Sequence, residues 1–296
     1  MKYHFAAAAV ALVWGSTLIS SKILLVAGMT PMEIMFVRFL LAYVFLWILY
    51  PRAHKIKCFG DEFKFFLMGL FGCTLYFICE NTALLYTSAN NVGLICATVP
   101  LFTGLVSRLL LKNQKLTRYF FIGSAISFFG VAIVILNGNF TLKINSFGDF
   151  LTILAVISWA FFCVIQKMLK EKYDSLYLTR KIFFYGLISM SLLFVINPFN
   201  FPFSGFLQPR VWGNLCFLGL LASGLCYWLW GVSIKHLGAI ATNNYVYFVP
   251  VVTIIFSSIF LGERLTMFTG AGTVFIIGGL WISGIKSCKK SFALKN

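Results

Sequence analysis

Apolar stretches of 18 to 24 residues follow one another along the whole chain, separated by short breaks that carry most of the charges and several of the prolines. A helix that crosses a bilayer needs about 20 predominantly apolar residues. Ten stretches meet that measure, at residues 4–27, 33–50, 64–86, 90–111, 118–136, 149–167, 177–196, 212–234, 239–261 and 267–286. The first follows Lys2 and is rich in alanine, like a signal peptide. It runs on past Trp14 to Ala27, well beyond the roughly 7 to 15 residues of a cleaved apolar core, and therefore reads as the first span.

Composition supports this pattern, because 60% of the 296 residues are hydrophobic and 11% charged, against about half and about a quarter in soluble domains. Ten helices of about 20 residues leave little beyond short loops. A separate soluble catalytic domain is excluded, and no Gly-Lys pair exists to seed the phosphate-binding loop of an ATPase. The expected fold is an all-α membrane protein of ten transmembrane helices.

The net charge of +16 would suggest a nucleic-acid partner in a soluble protein, but here the basic residues lie between apolar stretches and mark span ends. With the amino terminus in the cytoplasm, Lys143, Arg210 and Arg264 fall in outside loops, Lys22 and Arg38 fall within spans, and the other 19 of the 24 basic residues lie inside. That bias predicts a multi-pass inner-membrane protein with both termini cytoplasmic, and an even number of spans. No nucleic acid is expected as a partner. The eight cysteines form no Cys-x-x-Cys pair and mostly sit in apolar runs, so they read as reduced space-fillers, with no metal, disulfide framework or cofactor implied.

Two outside loops carry helix-start signals. Thr30-Pro31-Met32-Glu33 combines an N-cap hydroxyl, a first-turn proline and a carboxylate three residues after the cap, and Ser146-Phe147-Gly148-Asp149 repeats the cap and the acid. Glu33 and Asp149 are expected to act as caps.

The chain also repeats itself. Trp14 and Lys22 align with Trp159 and Lys167 at a shift of 145; Gly69, Leu75, Pro100, Thr103 and Ser107 align with Gly219, Leu225, Pro250, Thr253 and Ser257 at 150; Gly123 and Gly130 align with Gly272 and Gly279 at 149. A five-helix unit therefore occurs twice, over 1–140 and 141–296. Five is odd, so the second copy enters the membrane from the opposite side. Inverted repeats of this kind recur in secondary transporters, where equivalent halves exchange conformations to give alternating access.

Trp14-Gly15-Ser16, Arg38-Phe39-Leu40-Leu41-Ala42, the segment Ala83-Leu84-Leu85-Tyr86-Thr87-Ser88-Ala89 leading to Pro100, then Pro250, Leu261-Gly262-Glu263-Arg264-Leu265 and a glycine-rich last span resemble the EamA family of the drug/metabolite transporter superfamily. The resemblance covers nearly the whole chain. It implies ten helices in two inverted repeats, cytoplasmic termini, and small-molecule transport, usually efflux. It also implies a central cavity between spans 1, 3, 4, 6, 8 and 9, which points to Trp14, Glu80, Asn91, Trp228 and Asn244. Where the second half has Gly262-Glu263, the first has Lys112-Asn113, a departure from the acid the family often carries in both places.

Catalytic signatures are absent: His4, His54 and His236 lie at span ends or in a loop, with no His-Glu-x-x-His or Gly-x-Ser-x-Gly pattern. Charges inside spans are more informative, since each costs on the order of 2.5 to 3.5 kcal/mol in hydrocarbon unless it faces the bundle interior and pairs. At about 1.5 Å per residue, Lys22, Arg38 and Glu80 reach a similar depth in the outer third of the membrane. Glu80 is the only acid well inside a span. It is expected near Lys22 or Arg38, either as a structural pair or as a group that binds substrate or a coupling proton. Asn81, Asn91, Asn244, Tyr227, Trp228 and Tyr247 add amides and aromatic groups that can orient a ligand with polar ends and an apolar body, although aromatic residues near span ends also serve the interfacial belt. Pro100 and Pro250 are expected to bend their helices in mid-span. Gly123, Ser127 and Gly130, with Gly272, Gly279 and Ser283, present small faces for helix packing or for a homodimer.

The sequence thus predicts a transporter in the lipid bilayer that moves a small metabolite, amino-acid-like or another small organic solute, by alternating access and outward. A membrane-embedded enzyme or carrier acting on lipid-linked substrates, and a structural or signalling membrane protein, are the alternatives.

Overall fold

A computed structural model describes residues 1–52, 58–87, 89–111, 116–136, 146–170, 172–261 and 266–284. Its helices are α1 (Lys2–Val26), α2 (Pro31–Leu49), α3 (Phe59–Gly69), α4 (Tyr76–Tyr86), α5 (Ala89–Cys96), α6 (Val99–Leu110), α7 (Arg118–Leu136), α8 (Ser146–Leu169), α9 (Ser175–Ser191), α10 (Phe203–Phe206), α11 (Pro209–Cys216), α12 (Cys226–Leu237), α13 (Ala239–Asn243), α14 (Val249–Leu261) and α15 (Met267–Gly284). Among the described residues, seven helical runs are long and apolar enough to cross a membrane. The remaining three spans are made of shorter pieces. The fourth is α5 followed by α6, the ninth is α13 and α14 joined by the 3₁₀ stretch Asn244–Phe248, and the tenth is α15.

The prolines explain two of the interruptions. Pro100 and Pro250 are each the second residue of a new helix, α6 and α14, where the missing N–H leaves no hydrogen bond unmade. The expected mid-span bend is thus a break between two helices. The third and eighth spans carry a matching pair of irregularities, the π-helical stretches Leu70–Leu75 between α3 and α4 and Phe217–Leu225 between α11 and α12. Recurrence of the same broken and π-helical, under-wound spans in both halves gives ten helices in two five-helix repeats of inverted topology. The expected boundary near 140 lies outside the described residues.

A π-helix leaves carbonyl groups without their usual i+4 partners, and other spans use them. Trp14 Nε1 donates to Ala222 O at 3.0 Å, Tyr227 Oη to Gly72 O at 3.2 Å, and Ser158 Oγ to Phe71 O at 2.8 Å. Gly72 must lack a side chain, because a Cβ there would overlap the Phe162 ring.

Two bundles follow from the packing. Spans 3, 4 and 6 (α3–α4, α5–α6, α8) form one; spans 8, 9 and 1 (α11–α12, α13–α14, α1) form the other. Helices α2 and α9 connect them, α2 lying against the π-helical part of span 8 and α9 against span 3. Helices α7 and α15 form the most extensive helix pair. A Cβ on Gly279 would lie 2.5 Å from Gly123 O, and one on Gly130 would lie 2.7 Å from Gly272 O, so the small faces read from the sequence are consumed by packing within the chain.

Polar ties fix the ends. Thr30 and Glu33 form the expected capping box on α2, and Glu33 Oε1 also accepts from the backbone N–H groups of Asn200 (2.7 Å) and Phe201 (2.8 Å). Glu33 therefore holds the connection between spans 7 and 8 as well as its own helix. Glu33→Ala is expected to cost about 1 to 3 kcal/mol, read as a lower melting temperature in detergent. Asp149 accepts from Thr87 Oγ1 at 2.8 Å, tying the end of span 3 to the start of span 6; the Ser146 side chain lies outside the described set.

On the opposite face, where α1 begins and α15 ends, several basic residues find partners. Asp61 takes Lys172 Nζ at 3.1 Å and Tyr173 Oη at 3.1 Å, and Glu62 takes Lys181 Nζ at 2.6 Å as well as Tyr185 Oη. Arg180 donates to Tyr50 O and Arg52 O at 2.6 and 2.7 Å while stacked 3.8 Å over Trp47. The hydrogen bond to Asp61 raises the Lys172 ammonium above its ordinary lysine value. Its contribution is therefore present at neutral pH and is lost only as pH rises through that elevated value.

Candidate functional site

Between the two bundles, near mid-membrane, the rings of Trp14, Trp159, Tyr227 and Trp230 pack on one another. Trp14 lies 5.6 Å from Trp159, 5.9 Å from Tyr227 and 4.8 Å from Trp230, centroid to centroid. Tyr76 extends the cluster, 5.1 Å from Trp159. Trp14 and Trp159, paired by the sequence repeat, thus meet at the centre from opposite halves.

Glu80 stands at the edge of this cluster. It is one helical turn after Tyr76 on α4, and Tyr76 Oη donates to its carboxylate at 2.8 Å. Protein crowds the carboxylate, yet the residue keeps some accessible surface. Arg38, 7% exposed, lies within electrostatic range of Glu80. Its Nε donates to Ser223 Oγ at 2.9 Å, and its guanidinium lies 5.3 Å from the Phe39 ring and 5.5 Å from that of Phe77. The cation is therefore held by span 8 and by aromatic faces, and the carboxylate is hydrogen-bonded on its own helix.

The other expected residues are placed as follows. Asn81 donates to Met35 Sδ at 3.1 Å, against α2. Tyr227 is buried within the cluster. Trp228, half-buried, stays outside it, and its place is taken by Trp230 two residues on. Asn244 donates to Ser283 Oγ at 2.8 Å, facing α15. Tyr247 donates to Ser124 O at 3.4 Å, facing α7. The side chains of Lys22 and Asn91 lie outside the described set, as do the loops holding Lys143 and Glu263. The structure thus brings Trp14, Glu80 and Tyr227 together and sets Asn244 and Tyr247 against the α7–α15 pair.

Sequence reading passed over Tyr76, whose signal was its i−4 spacing from Glu80, and Ser223. Asn243 is not among the residues selected from the sequence, yet this amide, 0% exposed, accepts from Trp159 Nε1 at 2.9 Å and bridges spans 6 and 9.

The space around Glu80 is asymmetric. On the face where α1 begins the bundles touch, α13 on α6 and α8, and α12 on α8. Toward the other face, α4 and α5 make no extended contact with α1, α11 or α14 among the described residues. Glu80, on α4, lies on that open side.

Ten helices in inverted repeats with a carboxylate between two bundles define a multi-pass membrane transporter, and the comparisons agree. The EamA-like transporter family matches residues 1–136 and again 146–285, so the chain belongs to that family. It is 29% identical to an uncharacterized transporter of Archaeoglobus fulgidus, over 96% of this chain and 98% of the relative. It is 31% identical to the uncharacterized transporter YyaM of Bacillus subtilis over 74% and 71% of the two chains, and 26% identical to YetK of the same organism over 96% and 87%. A crystal structure sharing 14% identity superposes with a TM-score of 0.79 over 97% of this chain and 98% of the other, a likeness of fold.

Proposed function

We propose that this protein is a secondary transporter of the inner membrane that moves a small metabolite outward by alternating access, with Glu80 as the group that binds the solute's polar end or a coupling proton. The observation that carries this reading is a lone intramembrane carboxylate on one of two inverted bundles that are closed at one face and apart at the other. Such a carboxylate is costly in hydrocarbon, and its local partner is a neutral tyrosine. Aromatic faces beside it suit the apolar body of an amino-acid-like or similarly small organic solute.

Sidedness rests on the basic residues. With the face where α1 begins in the cytoplasm, the closed seam is cytoplasmic and Glu80 lies on the side that faces outward. A cysteine placed at Asn145 is then expected to react with an impermeant thiol reagent from outside intact cells. Reaction only after the membrane is opened contradicts this orientation. The function itself is tested by uptake and efflux of a metabolite panel in inverted vesicles. Accumulation of at least one solute above that in vesicles lacking the protein is expected, and no difference across the panel counts against transport.

A further inference from the structure

The seam that closes the face where α1 begins is more polar than a permanent contact needs to be. Four buried side-chain atoms on its elements have no hydrogen-bond partner among the described residues, namely both amide atoms of Gln166, Thr103 Oγ1 and Ser107 Oγ, and Trp230 Nε1 has only the weakly accepting Cys163 sulfur beside it. Each such atom costs about 1 to 3 kcal/mol where water is excluded. Gln166, 1% exposed, lies on α8 and crosses to α12, where a Cβ on Gly231 would be 2.8 Å from its Nε2. Trp230 precedes Gly231 on the same helix, beside the Cys163 thiol.

Thr103 and Ser107 sit one turn apart on α6. Val99 and Val106 on one flank of that helix join the core around α8, and Gly104 on the other faces Phe120. The stripe between them carries the two hydroxyls, and α6 also packs on α13. Asn243, on α13, bridges the seam through Trp159 and lies 3.8 Å from Cys163 Sγ. At the mouth, Lys170 Nζ donates to Lys235 O at 2.9 Å.

The repeat gives this seam its meaning. At the 150-residue shift that aligns spans 3 and 4 with 8 and 9, Glu80-Asn81 falls on Trp230-Gly231. The Trp230 seam is therefore the inverted counterpart of the side that holds Glu80, one closed and the other open.

We propose that the seam is the closed half of the solute path. Gln166, with Thr103, Ser107 and the Trp230 indole N–H, forms a second, uncharged binding site there, and the solute occupies it when this face opens. Amide, hydroxyl and indole groups recognise a solute through neutral hydrogen-bond donors and acceptors, so the site suits its polar ends without a fixed counter-charge. Closed, the Gln166, Thr103 and Ser107 groups are left unpaired, which limits the stability of the closed state and keeps the seam able to open. This inference rests on the transporter reading for its solute, whereas the opening of the seam is measured without one.

Native Cys163 reports on the opening. The full-length protein, reconstituted in liposomes, is treated with N-ethylmaleimide, and labelling is resolved peptide by peptide by mass spectrometry. Cys73, buried where span 3 meets Gly186 of α9, is the internal control. Cys163 is expected to label at least about fivefold faster than Cys73, and Gln166→Leu, which makes the seam apolar, to slow it at least about threefold without lowering the melting temperature. Thr103→Val, close in shape, is expected to slow it in the same direction. Equal labelling of Cys163 and Cys73 overturns the proposal, as does a Gln166→Leu protein that melts lower and labels faster, the result of a structural role. Fast Cys163 labelling in a protein that moves no solute supports an opening seam and counts against the transporter reading alone.

Discussion

Glu80→Gln is expected to cut transport sharply in a protein that still inserts and melts near the wild-type temperature. Glutamine keeps the size of the side chain and its ability to accept from Tyr76 Oη; only the charge and the exchangeable proton are lost. A hydrogen bond to a charged group contributes about 1.5 to 3 kcal/mol, which sets a fall in flux of roughly 10- to 100-fold, and any response of flux to an imposed proton gradient should disappear. A structural role gives the opposite pattern. Because Arg38 is held by Ser223 and the Phe39 and Phe77 rings, it does not depend on Glu80 alone for compensation, and only a small loss of stability is expected. Reduced melting with full flux through the surviving folded protein would make Glu80 a packing residue.

The second large effect falls on the α7–α15 pair, and neighbouring glycines should separate it cleanly. Gly279→Ala places a methyl group 2.5 Å from Gly123 O and 2.6 Å from Ser127 N, where the helix backbones must move apart. Overpacking of this kind costs about 1 to 3 kcal/mol or more. Gly278→Ala, one residue earlier on the same helix, meets nothing within 4 Å and should be neutral or stabilising, since alanine is favoured over glycine in a helix by about 1 kcal/mol. Thermal unfolding of the two variants in the same detergent measures the contrast. Equal behaviour would mean that α7 and α15 do not pack as described.

Much of this architecture was legible because lipid imposes length and composition on each span, and because the repeat preserved landmarks such as Pro100 and Pro250. What those prolines do was less legible. A mid-span proline reads as a bend, and only the chain on either side decides that α5 ends and α6 begins anew. The π-helical stretches left no signature beyond their glycines, since under-winding is settled by contacts such as Gly72 with Phe162 rather than by local preference. At the site, a single acid in an apolar run announced Glu80. Trp228 and Trp230 could not be told apart without knowing how span 8 is rotated, and Asn244 turns to α15 while its neighbour Asn243 turns inward. Gln166 passed unmarked because one neutral amide among apolar residues gives no charge signal; its importance lies in having no partner, which the sequence does not reveal.

The most direct test is flux through purified protein. Wild-type and Glu80→Gln proteins, reconstituted in liposomes at equal amounts, are assayed with a panel of amino-acid-like and other small organic solutes. The account predicts saturable movement of at least one solute by the wild type, and its sharp fall in a Glu80→Gln protein that remains folded. A wild type that moves no solute faster than protein-free liposomes, or a Glu80→Gln protein that moves it equally well, would contradict it.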